Sequence, residues 1–549
     1  MNPSLKEQVL AWIKSDPDEV DRATLQRLLD EGDDDELRRR FEHPLTFGTA
    51  GLRGPEMAGP AGMNRATVRR ATQGVLAWLE EIGADKTNGV VVGRDARRGS
   101  ERFNDEVVSV LLGGGAVVYE MPAPLPTPFV PYGVKALGAV AGIMITASHN
   151  PPQDNGYKLY AGDGAQIIPP DDEIVERLAR SAGTAALADR SVPGHSYVAP
   201  ALFEEYRSHF VRRFGVGRSD LRITYTPMHG VGGSVMSELF AEAGFEIVTP
   251  VAEQFVPNGA FPTLPFPNPE EPGALDLAIA CAEASNSTLI IANDPDADRL
   301  GAAVRGPNGW HVLRGDEIGW LLASSLLEGI KAADEVVATT IVSSTLLSRM
   351  ADAENVRCVT TLTGFKWISR AAGTGVLGFG YEEALGFAVD PCVADKDGLS
   401  AALALSALAH ALSEKDETLL DRLDEIEGRF GVHATAQLAL RAEGPEAMTL
   451  IRQVVEGLLR SAPQRVGELV VSEVVNLNEA RHGLAPTDGV VLVFGDVGRV
   501  IVRPSGTEAK LKAYVEMTPP RRGSLAEQRE RSKGLLESVQ ASLAELLVF

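Results

Sequence analysis

Four times along this chain a short apolar run ends abruptly in a cluster of glycine, proline, hydroxyl and charge. Gly138–Ile145 leads into Thr146-Ala147-Ser148-His149-Asn150-Pro151, and Leu221–Tyr225 into Thr226-Pro227-Met228-His229-Gly230-Val231-Gly232-Gly233. Thr288–Ala292 leads into Asp294-Pro295-Asp296-Ala297-Asp298-Arg299, and Val376–Gly380 into Tyr381-Glu382-Glu383-Ala384-Leu385-Gly386. The stretches between carry helical periodicity; Asn64 is placed to cap a helix reaching Ile82, and Ser100 to cap another. Strands alternating with helices build parallel βαβ units. Such sheets place ligands beyond the carboxyl ends of their strands, where the polar clusters stand. The pattern restarts near Leu221 and again at Gly315, giving three α/β segments of similar build.

The flanks differ. Residues 4–40 read as acidic helices broken at Ser15-Asp16-Pro17-Asp18. Beyond Phe430, strand-like stretches at His433–Leu440, Leu469–Val475, Val490–Phe494 and Arg499–Val502 surround helices at Pro445–Ser461 and Leu525–Leu547, an α+β pattern. The expected division is a helical extension (1–45), α/β domains I (46–205), II (206–314) and III (315–430), and an α+β domain IV (431–549). With 52 Lys and Arg against 75 Asp and Glu, a formal charge of −23, the chain is no general binder of nucleic acid or anionic membrane. Its three cysteines, Cys281, Cys358 and Cys392, form no CxxC pair and give neither a zinc knuckle nor a disulfide framework. The N-terminus is charged, and no apolar run approaches the ~18–20 residues of a membrane span. The expected location is cytoplasmic.

Ser148, beside His149 on a proline-restricted loop, is a candidate nucleophile; an ordinary turn explains the same residues. Asp294, Asp296 and Asp298 follow a strand at alternate positions, so their carboxylates repel one another unless a cation lies among them. Hard oxygen ligands suit Mg²⁺ or Ca²⁺. An EF-hand is excluded, because Arg299 stands where the loop needs Gly and Arg305 where it needs Glu. Arg503-Pro504-Ser505-Gly506-Thr507-Glu508 offers a guanidinium, two hydroxyls and exposed backbone N–H groups to a phosphate, although a plain turn between strands reads equally well. The turn Gly230–Gly233 lacks the last glycine of a dinucleotide fingerprint, so helix packing is its better reading. Glu382 and Glu383 are either a solvated acidic loop or acceptors for sugar hydroxyls. Lys158 and Lys396, each taken alone, read as surface lysines.

Taken together and in this order, the motifs resemble those of the α-D-phosphohexomutase superfamily, the phosphoglucomutase and phosphomannomutase enzymes. The resemblance runs from Thr46 into the last domain. It implies four domains around a central cleft, three similar α/β domains with mixed sheets in place of purely parallel ones, and a C-terminal α+β domain. It makes Ser148 the residue that carries phosphate and gives Mg²⁺ to Asp294, Asp296 and Asp298 together with that phosphoserine. Arg53 and Arg299 would line the reaction centre, with His149, Lys158 and Lys396 for acid/base work and charge stabilisation. Thr363, Gly364, Phe365 and Glu382 would meet the sugar, and Arg503, Ser505, Gly506 and Thr507 the phosphate that is not reacting. Two departures stand out: Pro295 and Ala297 replace the glycines of the usual metal loop, and Ala384 replaces a serine of the sugar loop. Both changes resemble the branch with phosphopentomutase-like and glucose-1,6-bisphosphate-synthase-like members.

The resemblance implies a mutase that interconverts hexose 1-phosphate and hexose 6-phosphate, glucose before mannose. It works through phosphoserine and a bound bisphosphate, with glucose 1,6-bisphosphate as activator. The alternatives are a phosphopentomutase and, from another reaction class, a phosphoserine-dependent sugar phosphatase. A non-catalytic sugar-phosphate binder is disfavoured by the intact nucleophile and triad. The expected partner is a small phosphosugar; monomer and homodimer both stay open.

Overall fold

The computed structural model describes residues 3–48, 51–330, 332–442, 447–479, 484–505 and 510–548. The chain forms two compact units, Met1–Leu313 with Gly386–His410, and Arg314–Leu385 with Ala411–Phe549.

The first unit begins with helices Pro3–Ser15, Glu19–Glu31 and Asp34–Phe41. The Asp18 side chain accepts from the N–H groups of Val20 and Asp21, and Gly32 ends that helix at φ 70°. Leu5, Val9, Trp12, Leu25, Leu28, Leu37 and Phe41 close over Ala58 and Ala66. A six-stranded sheet follows, in the order Leu52–Pro55, Asp154–Ala161, Ala141–Ile145, Val90–Arg94, Val118–Glu120, His195–Tyr197. Asp154–Ala161 runs antiparallel to both neighbours, whereas Val90–Arg94 is parallel to both of its own. The second sheet orders Gly309–Leu313, Gly301–Gly306, Leu289–Ala292, Ile223–Thr226 and Val248–Pro250, with a hairpin antiparallel to Leu289–Ala292 and the remaining pairs parallel. The sheets are thus mixed. The expected helix from Asn64 forms as Arg65–Glu81, with Asn64 accepting from Thr67 N–H. Ser100 is not a cap: Gly99 is, and the Ser100 hydroxyl donates to Asp95 Oδ1 at 2.5 Å. That carboxylate is almost fully buried, and a buried acid competes for the hydroxyl more strongly than a helix end that water can reach.

The second unit contains three parallel strands, with Glu335–Thr340 pairing both Arg357–Thr361 and Val376–Glu382. Its antiparallel sheet orders Ala434–Arg441, Lys510–Met517, Gly498–Pro504, Val490–Val493 and Glu473–Asn476. Helices Ala447–Arg460 and Leu525–Leu546 cover it through a core that includes Ile451, Val455, Val539 and Leu543 against Val500, Val502, Leu511 and Val515. None of the described helices is long and apolar enough to cross a membrane.

Candidate active site

In the first unit, the strand Ala141–Ile145, buried along its whole length, delivers the loop that begins at Thr146. Ser148 holds φ 52°, in the left-handed region, a conformation that costs a non-glycine residue roughly 1–2 kcal/mol. Its backbone is held from both sides. The Ser148 N–H donates to Thr146 Oγ1 at 2.8 Å, and its carbonyl accepts from Arg97 Nη2 at 2.6 Å. Arg97 also donates to the carbonyls of Asn150, Pro151 and Asp154 at 2.7, 2.8 and 2.9 Å, while its Nε lies 3.2 Å from Asp95 Oδ2. Five planar donors suit such a task, which a single ammonium cannot match. Sequence reasoning missed Arg97. It lies just past the strand Val90–Arg94, so the strand-end rule that marked Ser148 also points to it.

So positioned, Ser148 Oγ donates to Asp294 Oδ2 at 2.8 Å and stands 3.2 Å from His149 Nδ1. Asp294, Asp296 and Asp298 are fully buried, and one oxygen from each lies within 4.8 Å of the others. Among the described residues, Asp296 Oδ1 and Asp298 Oδ1 are buried with no hydrogen-bond partner. Burial, then the charges of Asp296 and Asp298, push Asp294 well above the ordinary carboxylate range. Three buried carboxylates facing one point, two of them with an oxygen that has no hydrogen-bond partner, fit a small divalent cation. A second cluster, His209, Asp390 and Cys392, fits one poorly, because both Asp390 oxygens are engaged: Oδ2 with His209 Nε2 at 2.9 Å and Arg213 Nη1 at 3.0 Å, and Oδ1 with the Cys392 N–H at 2.9 Å.

The lysines are not on the surface. Lys158 is 3% exposed, on the strand Asp154–Ala161, and its Nζ bridges Asp296 Oδ2 at 2.7 Å and Asp298 Oδ2 at 2.6 Å. Burial opposes its charge, but the two aspartates more than offset this and hold its pKa above the ordinary lysine value. Lys396 Nζ lies 3.2 Å from Asp298 Oδ2. Arg299 donates its backbone N–H to Asp294 Oδ1 at 3.0 Å, and Arg53 Nη1 donates to Asn150 Oδ1 at 3.1 Å. Burial, and then the cations Arg299 and Arg53, hold His149 well below the ordinary histidine pKa, so its ring is neutral near pH 7. Thr127, which lies between Pro126 and Pro128 and matches none of the motifs above, donates to Asp296 Oδ2 at 2.6 Å and takes part in fixing the triad.

The aspartate loop keeps its shape without glycine. Ala297 adopts φ 56°. Gly230–Gly233 makes room for the loop: a Cβ on Gly230 would meet Pro295 Cα at 2.4 Å, and one on Gly232 would meet Ala297 Cβ at 3.2 Å. What the turn packs against at these two glycines is the aspartate loop.

In the second unit, Thr363, Gly364 and Phe365 follow the strand Arg357–Thr361, and Gly364 takes φ 111°. Glu382 ends the strand Val376–Glu382 and is 7% exposed. Its neighbour Glu383 accepts from Ser343 Oγ at 2.9 Å and is pushed up to about 7 by burial and then by Glu382 and Asp316. Arg503 lies on the strand Gly498–Pro504, and the Ser505 N–H donates to the carbonyl of Lys510, the first residue of the strand Lys510–Met517, at 2.8 Å. Gly506 and Thr507 lie outside the described residues.

A buried serine bonded to a buried aspartate triad thus stands on mixed α/β sheets, in a chain that ends in an antiparallel domain. Four family descriptions match in order: phosphoglucomutase/phosphomannomutase alpha/beta/alpha domains I (44–185), II (204–308) and III (314–428), and the C-terminal domain (450–531). The chain belongs to the phosphoglucomutase/phosphomannomutase family of the α-D-phosphohexomutase superfamily, whose members are isomerases. It is 37% identical to a probable phosphomannomutase of Haemophilus influenzae, over 83% of this chain and 93% of that one. It is 34% identical to the phosphopentomutase of Homo sapiens, over 97% and 95%. Among solved structures, its fold matches the open form of parafusin, a phosphoglucomutase from Paramecium, at a TM-score of 0.70 and 17% identity, covering 91% of this chain and 95% of the other.

Proposed function

We propose that this enzyme moves a phosphoryl group between the anomeric and terminal hydroxyls of a hexose phosphate, glucose before mannose, with Ser148 as carrier. The 2.8 Å bond from Ser148 Oγ to Asp294, inside a buried carboxylate triad, carries this reading. Phosphoserine 148 gives its phosphoryl group to the free sugar hydroxyl: a P–O bond to Ser148 breaks and one to the sugar oxygen forms. The hydroxyl proton passes to a base, for which His149 with its neutral ring is the candidate; Lys158, held charged by two aspartates, is the candidate acid for the departing Ser148 oxygen. The bisphosphate turns end for end, and its other phosphoryl group returns to Ser148 Oγ. Arg53, Arg299, Lys158 and Lys396 provide fixed positive charge for the oxygens that gain charge during transfer, so the barrier falls through positioning and electrostatics. Mg²⁺ held by Asp294, Asp296, Asp298 and phosphoserine 148 supplies further charge neutralisation when bound. Glu382 with Thr363, Gly364 and Phe365 is assigned to sugar hydroxyls, and Arg503, Ser505, Gly506 and Thr507 to the distal phosphate. Glucose 1,6-bisphosphate is the activator, since it phosphorylates Ser148 directly.

A second reading, ribose phosphate as the sugar, is favoured by Ala384. It has no hydroxyl to offer, and a pentose has one fewer hydroxyl to satisfy than a hexose. The similarity to the human phosphopentomutase supports it as well. Coupled assays on glucose 1-phosphate, mannose 1-phosphate and ribose 1-phosphate with Mg²⁺, each with and without glucose 1,6-bisphosphate, decide between the sugars. Hydrolysis of these substrates faster than their isomerisation defeats the mutase reading in favour of a phosphatase.

A further inference from the structure

The segment Ile341–Thr345 follows the strand Glu335–Thr340 in the second unit and touches two things at once. On one side the Ser343 hydroxyl donates to Glu383 Oε2 at 2.9 Å and accepts from the Glu383 N–H at 3.2 Å, fixing the residue next to Glu382. On the other side the Ser343 carbonyl accepts from Arg499 Nη2 at 2.7 Å. Arg499 shares the strand Gly498–Pro504 with Arg503, whose assigned partner is the distal phosphate. Its Nε donates to Glu516 Oε2 at 2.9 Å, directly across the sheet.

Glu516 is 5% exposed and its other oxygen is saturated. Oε1 accepts from Ser344 Oγ at 2.8 Å, Thr345 N–H at 2.8 Å, Thr345 Oγ1 at 3.0 Å and His433 Nδ1 at 3.0 Å. Ile341 and Val342 meanwhile pack with Ile501 and Tyr514 from the same two strands of the antiparallel sheet. A carboxylate with this many partners is fixed in place, and a fully satisfied buried network of this kind rigidifies the elements it joins.

We infer that Arg499 and Glu516 are positioning residues that couple the phosphate-binding strand to the sugar-binding glutamates through Ser343. A shift of the strand under Arg503 must move the Ser343 carbonyl, and the same residue's hydroxyl sets where the Glu382-Glu383 corner stands. Neither Arg499 nor Glu516 needs to touch the sugar. The inference rests on the mutase reading, because it takes its two binding loops from there.

The test is a double-mutant cycle on the full-length enzyme with Arg499→Met and Ser343→Ala, read as KM for the sugar 1-phosphate that wild type turns over. Each single variant is expected to raise KM by about tenfold, and the double variant by no more than the larger single effect. Arg499→Lys is expected to recover part of the loss. The rate at which phosphoserine 148 loses phosphate to water, measured with no sugar present, is expected to stay at the wild-type value. Unchanged KM in a folded Ser343→Ala variant, or effects that multiply in the double variant, overturns the coupling. Ser343→Ala keeps the Arg499–Glu516 pair, so it decides the matter even if Arg499→Met does not fold. Wild-type protein that takes up no phosphate on Ser148 from glucose 1,6-bisphosphate defeats the mutase reading itself, a result distinct from any in the cycle.

Discussion

Ser148 Oγ and Asp294 Oδ2 are 2.8 Å apart although 146 positions separate them in the chain. Neither residue alone distinguishes a carrier from a turn. Ser148→Ala is expected to abolish phosphate uptake from labelled glucose 1,6-bisphosphate and to cut mutase turnover at least about a thousandfold, equivalent to about 4 kcal/mol of barrier. Circular dichroism and unfolding should stay close to wild type, because Ala keeps the backbone contacts of Thr146 and Arg97. Normal turnover in this variant removes Ser148 from the mechanism.

Two buried oxygens, Asp296 Oδ1 and Asp298 Oδ1, have no hydrogen-bond partner among the described residues. Mg²⁺ at a hundred times its dissociation constant is therefore expected to stabilise the protein by about 2.7 kcal/mol, visible as a higher unfolding midpoint. Asp298→Asn should lose that gain while also leaving Lys158 and Lys396 short of a counter-charge. Equal Mg²⁺ responses in the two proteins would place the cation elsewhere.

Arg97 is expected to matter through the loop it holds. Arg97→Met strips donors from four carbonyls and leaves Asp95 buried without its cation, a loss of about 3–5 kcal/mol. Hydrogen–deuterium exchange should quicken over residues 147–154 before other strand ends of that sheet. Exchange that rises evenly across the sheet would reduce Arg97 to a general stability residue.

Two glutamates in the second unit give opposite pH dependences. Burial alone would lift Glu516, but His433 and Arg499 outweigh it and hold the carboxyl at about 2, below the ordinary 4.5. A depressed carboxylate stabilises the fold above about pH 4.5, and this stability, on the order of 3 kcal/mol, is lost as pH falls towards 2. Glu383 does the reverse: raised from 4.5 to about 7, it makes stability fall as pH rises across that window. Unfolding midpoints measured from acid to neutral pH should lose the acid-side slope in Glu516→Gln and the neutral-side slope in Glu383→Gln. If the Glu516→Gln profile overlays wild type below pH 4.5, the Glu516 network is not what acid breaks.

Much of the first unit's chemistry is legible from short patterns. The strand at Ala141–Ile145 and the aspartate spacing are local features, and they point to Ser148 and the triad without any partner in view. Lys158 is not legible, because nothing in Asn155-Gly156-Tyr157-Lys158 shows that its strand lies between two others and buries the ammonium. Ser100 misleads for a related reason: a hydroxyl at a helix start looks like a cap until a buried carboxylate claims it. Arg97 stands at a strand end, so its place is legible although the four carbonyls it holds are not; Thr127 acts across 169 positions, and only the folded arrangement reveals it. The sugar remains the least legible part, since Ala384 marks a missing hydroxyl without showing which group takes over its role.

The first unit is not one continuous piece of chain: Lys396 belongs to it only because the polypeptide returns at Gly386 after building part of the second. A fragment ending at Leu313 would keep Ser148 and all three aspartates, yet Asp298 would retain Lys158 and lose Lys396. The two halves of the gene therefore cannot be separated at their structural boundary and each keep its chemistry. Any duplication, fusion or split-protein reporter built from this enzyme has to carry the returning segment along with the serine.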